Sequence, residues 1–101
     1  PEIRIVCDEA IKFDVVKYLI RRAKAKIGLD VDLTDGVRAT SVNGWWLVRA
    51  SNTQAVIVAR AEADSEEQLK ELCVELVSML RDAGINTCDL AKAFNPIGYQ
   101  P

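Results

Sequence analysis

The sequence predicts an α+β domain with a mostly antiparallel, four-stranded sheet and two helices packed on one face, in the order β-α-β-β-β-α. Short segments alternate apolar and polar residues with the period of a strand, whereas two longer segments repeat apolar residues every three or four positions, as amphipathic helices do. Tight connections link the middle strands to one another, and such connections favour antiparallel pairing.

The N-terminal part of the chain predicts one strand followed by one helix. The strand is expected at Glu2 to Cys7, with an apolar face formed by Ile3, Ile5 and Cys7. Asp8 is a candidate N-cap for the helix, and Gly28 is its expected end. The apolar residues of the helix keep the spacing of one buried face: they are Ile11, Val15, Val16, Leu19, Ile20, Ala23 and Ile27.

The middle of the chain predicts three strands joined by short loops. Val37 to Val42 is followed by Asn43-Gly44, the strongest short hairpin signal in a sequence, and by a partner strand at Trp45 to Arg49. A polar loop at 50–54 then leads into a long strand at Ala55 to Ala63.

The last predicted helix begins after Ser65, where Gln68 three residues later completes a capping-box signature. It ends at Gly84, and its apolar residues are Leu69, Leu72, Cys73, Leu76, Val77 and Leu80. Residues 85–101 show weak periodicity and two prolines, so we expect a C-terminal tail that lies over the surface or is partly mobile. Residues 1–101 are expected to form a single domain.

Composition argues against several classes of function. A formal net charge of -2 disfavours a dedicated nucleic-acid binder, and no apolar stretch approaches the length of a membrane span. The sequence contains 0 histidines, which removes Ser-His-Asp and Cys-His catalysis and His-ligated zinc. Cys7, Cys73 and Cys88 form no CxxC pair, so we expect reduced thiols, no metal site and a cytoplasmic location.

The loop between the last two strands, RASNT, is the best candidate for a binding site. Arg49 presents a planar fork of N–H donors that matches phosphate or carboxylate. Ser51 and Thr53 add hydroxyl donors, Asn52 adds an amide, and a turn of such residues can direct backbone N–H groups into one concavity. The residues alone leave a second interpretation open, a polar loop whose side chains only cap their own backbone.

Sequence blocks on both sides of this loop carry a resemblance to a known family. RASNT is preceded by DGVR (Asp35 to Arg38) and GWWLV (Gly44 to Val48), and it is followed by VIVARAEADSEE (Val56 to Glu67). Together they resemble the C-terminal domain of the α-D-phosphohexomutases, in particular the phosphomannomutase/phosphoglucomutase group. The resemblance covers about residues 2–83 and implies a TATA-binding-protein-like α+β fold.

The resemblance implies that this loop grips the substrate phosphate that is not transferred. The phosphate-binding residues would be Arg49, Ser51, Asn52 and Thr53. Asn52 stands where related phosphoglucosamine mutases usually have Gly, which favours hexose phosphates without an amino group. Ala55 stands where the family often has Pro, and Gln54 where it has Glu or Thr. Loss of that Pro raises the conformational entropy of the unfolded loop by about 0.4–1 kcal/mol and predicts a less rigid loop.

The resemblance also implies that the chemistry lies elsewhere. In the family, the catalytic phosphoserine, the Mg²⁺-binding loop and the sugar-selecting loop belong to other domains, and the sequence contains none of their motifs. The whole enzyme would interconvert hexose 6-phosphate and hexose 1-phosphate through a bisphosphorylated intermediate. The expected partners are therefore a phosphosugar and the other domains of the same chain, and this domain alone should be inactive.

Other interpretations stay open on the residues. The chain could be a free-standing α+β module that binds protein or single-stranded RNA on its open sheet face, without catalysis. Asp30, Asp32 and Asp35-Gly36, within an acidic connection that has room for a short strand, resemble the start of a calcium loop, although the closing Glu is missing. Arg60, in the last strand, could reinforce an anion site.

Overall fold

One antiparallel sheet organises residues 2–98, the part of the chain that the computed structural model describes. The strands are β1 (Glu2–Val6), β2 (Asp30–Asp32), β3 (Val37–Thr40), β4 (Gly44–Ala50) and β5 (Val56–Ala63). The helices are α1 (Lys12–Ala25), α2 (Glu66–Asp82) and α3 (Thr87–Phe94), and a 3-10 turn follows at Asn95–Ile97. None of these helices is long and apolar enough to cross a membrane.

The sheet has the strand order β1-β5-β4-β3-β2, with every neighbouring pair antiparallel. The predicted α+β class is confirmed, with one strand and one helix more than expected. The additional strand is the edge strand β2, in which Val31 pairs with Ala39 of β3. Its three residues lie in the acidic connection where the sequence left room for a short strand.

One face of the sheet carries the core, and alternation along each strand decides which residues belong to it. Ile5 pairs with Ile57 and Val48 with Ala59, and all four side chains are fully buried. Helices α1 and α2 pack against the strands on this face. Trp46 points inward and is 1% exposed, whereas Trp45 points to the open face, opposite the exposed Glu62. This division is what period-two alternation predicts.

The predicted hairpin forms, but its turn lies one residue earlier than Asn43-Gly44. Thr40 pairs with Trp45, and the Ser41 amide donates to the Gly44 carbonyl at 2.8 Å, so Val42 and Asn43 are the central residues. Within residues 2–98 the backbone φ is positive at no residue other than glycine, and Gly44 is not among those glycines. The mirror-image turn expected of Asn-Gly is therefore not adopted.

Packing against neighbouring strands explains this register. Gly44 lies so close to β5 that a Cβ there would be 2.3 Å from the Glu62 carbonyl oxygen. The observed register sets Trp46 opposite the small, buried Ala39. A turn centred on Asn43-Gly44 would shift the pairing by two residues and set the polar Ser41 opposite Trp46. Tertiary packing thus outweighs the local turn preference.

Helix α1 begins later and ends earlier than predicted. Asp8 does not cap it; instead its Oδ1 accepts the Ala10 amide at 2.9 Å in a turn that precedes the helix. The N-cap is Ile11, which makes no side-chain capping bond. Ile27 was predicted on the buried face but follows the end of the helix and is 99% exposed.

The C-terminal segment forms part of the core. Ile85, Leu90 and Phe94 are buried, the last two completely, and all three belong to the main hydrophobic cluster. The prediction that the tail lies over the surface is therefore wrong for residues 85–98, and residues 99–101 lie outside the described part. Helix α3 packs against β1 and α2.

Burial separates the three cysteines into two groups. Cys7 and Cys73 are free thiols in the core, and Cys88 is a free thiol at the surface. Burial raises the pKa of the Cys7 thiol, with a further contribution from Asp8, and burial also raises the pKa of the Cys73 thiol. Thiolate is the reactive form, so both buried thiols are protected by low access and by protonation.

We therefore expect one fast and two slow thiols in a colorimetric thiol assay of the native chain at pH 8. Cys88→Ser should remove the fast phase and leave the slow phase unchanged. Denaturant should make all three thiols of the unaltered chain react at one rate. A fast phase that persists in Cys88→Ser would contradict the burial of the other two cysteines.

Candidate functional site

The loop between β4 and β5 takes its shape from Ser51. The Ser51 side chain is nearly buried, and its Oγ accepts the backbone amides of Thr53 at 3.3 Å and Gln54 at 3.1 Å. The Ser51 amide donates to the Val56 carbonyl at 3.0 Å and closes the base of the loop. Because two donors already occupy the hydroxyl oxygen, its O–H hydrogen is the group that remains for a ligand.

The outgoing end of the loop is tied to β1 and to the first turn of α1. The Cys7 amide donates to the Ala55 carbonyl at 3.0 Å, and Lys12 Nζ donates to the Gln54 carbonyl at 3.0 Å. The Arg4 guanidinium donates to the Gln54 side-chain oxygen. These three bonds restrain the part of the loop that contains Ala55, the position where the resemblance implies a frequent proline.

Arg49, at the end of β4, has a partly exposed guanidinium. Its Nε lies 3.9 Å from Oδ2 of Asp35, and the two side chains are 39% and 72% exposed. An ion pair this long and this exposed to water is weak. The guanidinium therefore keeps donors for an anion, although the Asp35 carboxylate competes with any anion for it.

Gly36 sets the position of Asp35 beside Arg49. Its φ is +66°, and a Cβ at this position would lie 2.3 Å from the Val48 carbonyl oxygen and 2.8 Å from the Arg49 Cβ. A residue without a side chain is required for the turn after β2 to approach the end of β4 so closely. The DGVR block thus positions one wall of the site.

These elements surround an open pocket with a volume of about 290 Å³ near the start of α1. Its polar lining comes from Lys17 of α1, Asp35 of the turn, Arg49 of β4 and Asn52 of the loop, while Phe13 forms an apolar wall. Two cations and one carboxylate give this concavity a positive balance, although the chain as a whole has a net charge of -2. Such a local field favours an anion.

The four predicted site residues have different positions. Arg49 and Asn52 meet in this pocket, whereas Ser51 lies inside the loop and shapes it. Thr53 is exposed at the loop and does not line the pocket. The assignment of all four as phosphate ligands remains a prediction.

Sequence reasoning missed the residues that helix α1 contributes. Lys12 is 0% exposed, and it precedes Val15 and Val16 by three and four residues. A lysine in the phase of the apolar stripe was the available signal for an unusual role. Lys17 carried no comparable signal, because an exposed lysine on a helix is common.

The acidic residues Asp30 and Asp32 belong to the edge strand β2, and the second of them supports the turn that follows it. Asp32 Oδ1 accepts the Thr34 amide at 2.8 Å. Hydrogen bonds from the side chain and the backbone of Thr34 lower the pKa of the Asp32 carboxyl. No group of three or more His, Cys, Asp or Glu side chains within residues 2–98 is arranged to hold a metal ion.

Sequence and structure comparisons identify the class of protein to which this fold belongs. Residues 2–79 match the family described as "Phosphoglucomutase/phosphomannomutase, C-terminal domain". A structure of a phosphoglucomutase/phosphomannomutase family protein from Burkholderia thailandensis superimposes with a TM-score of 0.64 and 27% identity, over 85% of this chain and 18% of the other. The chain belongs to the phosphoglucomutase/phosphomannomutase family and corresponds to its C-terminal domain.

Two relatives show the degree of similarity. The phosphomannomutase/phosphoglucomutase of Pseudomonas aeruginosa is 46% identical over 72 residues, which is 71% of this chain and 15% of the relative. A probable phosphoglucosamine mutase of Methanopyrus kandleri is 36% identical over 77 residues, which is 76% of this chain and 17% of the relative. The chain thus spans less than a fifth of the length of these relatives.

Proposed function

We propose that the pocket beside Arg49 binds the phosphate of a hexose phosphate, as part of a phosphomannomutase/phosphoglucomutase. The observation that carries the proposal is the meeting of Arg49 and Asn52, both from the RASNT loop, in one concave pocket with a positive balance of charge. A guanidinium suits a phosphate dianion because it donates two parallel hydrogen bonds. Asn52, at the position where phosphoglucosamine mutases usually have Gly, favours a sugar without an amino group.

The domain would act on the reaction through orientation. Holding the phosphate that is not transferred fixes the sugar relative to the reacting atoms, so binding energy remote from the chemistry raises the rate. Closure of the domain over the substrate would exclude water. We assign the phosphoserine and the Mg²⁺ of the interconversion of hexose 6-phosphate and hexose 1-phosphate to other domains. The 101-residue chain by itself should therefore bind substrate without isomerising it.

Titration of the ¹⁵N-labelled chain with mannose 1-phosphate tests this proposal. We expect the backbone amide signals of residues 49–53 to shift, with a Kd of about 1 mM or weaker, since one guanidinium and a few neutral donors supply little binding energy. Arg49→Ala should abolish the shifts. Asp35→Asn should lower the Kd by about two- to threefold, because it removes the competing carboxylate of an exposed pair.

Arg60→Ala is the matched control for Arg49→Ala. Arg60 is exposed on the open face of β5, where it pairs with Leu47, and it does not line the pocket. Arg60 lies two residues along β5 from Val58, the partner of Arg49, so the substitution removes the same charge close to the site. It should leave the Kd within about a factor of two, because an exposed charge that does not contact the phosphate is screened by water and salt. Equal losses in the two variants would show a diffuse charge effect, and no shift in the folded wild-type chain would overturn the proposal.

A further inference from the structure

We propose that Lys12 is a positioning residue for the phosphate-binding loop, a role that rests on the function proposed above. Lys12 is the first residue of α1 and is completely buried. Its Nζ donates to the backbone carbonyl of Gln54, 42 residues away in sequence, at 3.0 Å. Gln54 is two residues beyond Asn52, so the bond links the start of α1 to the end of the loop that carries the predicted ligands.

A buried ammonium must be hydrogen-bonded, because its desolvation is costly. Lys12 Nζ has a second partner in the turn that precedes α1, Glu9 Oε1 at 2.7 Å. Glu9 is 64% exposed at its side chain, whereas Lys12 is 1% exposed. Water therefore screens the carboxylate far better than the ammonium. The pair has no net charge, but its positive end, Lys12 Nζ, faces the loop at Gln54.

Stability alone does not explain a lysine at this position. Lys12 lies in the phase of Val15 and Val16, where an apolar side chain of equal length would pack. Replacing a buried ion pair with apolar residues is often neutral or stabilising. Removal of Lys12 would also leave no buried group unpaired, since Glu9 faces water and the Gln54 carbonyl keeps the Val56 amide at 2.9 Å.

The contact has two consequences for the site. Holding the Gln54 carbonyl fixes one end of the short loop whose other end is fixed by Ser51. A restrained loop loses less entropy when it binds an anion. The ammonium is buried and does not line the pocket. The interior screens its charge less than water screens the charges of Lys17 and Arg49. It therefore favours a bound dianion without contacting it.

The test compares Lys12→Met with Lys24→Met, which removes the same charge from an exposed position three turns along the same helix. Mannose 1-phosphate is titrated into each folded chain, and the amide shifts of residues 49–53 give the Kd. We expect Lys12→Met to raise the Kd by about tenfold, as for loss of a hydrogen bond from a charged group. Lys24→Met should change it by less than about twofold, because the charge is exposed and distant.

Glu9→Gln should have an effect of opposite sign, because it removes the carboxylate that pairs with the Lys12 ammonium. It keeps the bond from Lys12 to Gln54 and removes the nearby carboxylate, so at low salt the Kd should fall by about twofold. The inference is wrong if folded Lys12→Met binds like wild type, or if Lys12→Met does not fold and Glu9→Gln leaves the Kd unchanged. Wild-type chain that gives no loop shifts overturns the phosphate site itself, and this inference with it.

Discussion

Phe94→Ala is expected to destabilise the chain by about 3–5 kcal/mol, the usual cost of truncating a buried Phe. Phe94 is 0% exposed, and it is among the largest fully buried side chains. It lies at the end of α3, so its packing fixes the C-terminal segment to the core formed by the sheet and α2. Urea denaturation should show a lower midpoint with an unchanged slope, because the substitution hardly changes the surface area that unfolding exposes.

Lys92→Ala provides the control within the same helix. Lys92 is exposed, and its truncation should change the free energy of unfolding by at most about 0.5 kcal/mol. A loss below about 1 kcal/mol in Phe94→Ala would place that residue outside a close-packed core. The segment after residue 84 would then be the surface tail that the sequence predicted.

The sequence did contain a signal for α3, but the helix is short. Asn86 is the N-cap and its side chain accepts the Asp89 amide at 2.9 Å, which is the ordinary chemistry of a helix start. Only two residues of α3 are buried, Leu90 and Phe94, four positions apart, while the buried Ile85 precedes the N-cap. A helix of eight residues presents too few positions for periodicity to identify it.

The strands were easier to predict than their register. The alternation of apolar and polar residues predicted the buried face of β1 directly, with Ile3 and Ile5 in the core. The pairing between β3 and β4 depends instead on how Trp46 fits opposite Ala39 and how closely Gly44 approaches the neighbouring strand. Those contacts exist only after the sheet has formed, and a local turn signal cannot specify them.

The candidate site divides in the same way. Arg49 and Asn52 are three residues apart, and their presence in one loop was visible in the sequence. The groups that complete the pocket or support the loop, Lys12, Lys17 and Asp35, come from α1 and from the turn after β2. Their proximity is a product of topology, which places the start of α1, the end of β4 and the start of β5 together.

Gly36→Ala is expected to destabilise the chain by about 2–5 kcal/mol. About 1–2 kcal/mol comes from a left-handed backbone carrying a Cβ, at φ +66°. A further amount of about 1–3 kcal/mol comes from overpacking, because the new methyl group would meet backbone atoms of Val48 and Arg49 that have little freedom to move. The same displacement would move Asp35 and Arg49 apart and widen the pocket.

Gly28→Ala separates the two contributions, since Gly28 has a φ of +89° and no atom within 4 Å of an added Cβ. This control should lose only the backbone cost of about 1–2 kcal/mol and should keep the affinity for mannose 1-phosphate. Gly36→Ala should lose more stability and, where it still folds, should weaken binding at the Arg49 amide. Equal destabilisation by the two substitutions, with equal affinities, would show that the close approach of the turn to β4 has no role in shaping the pocket.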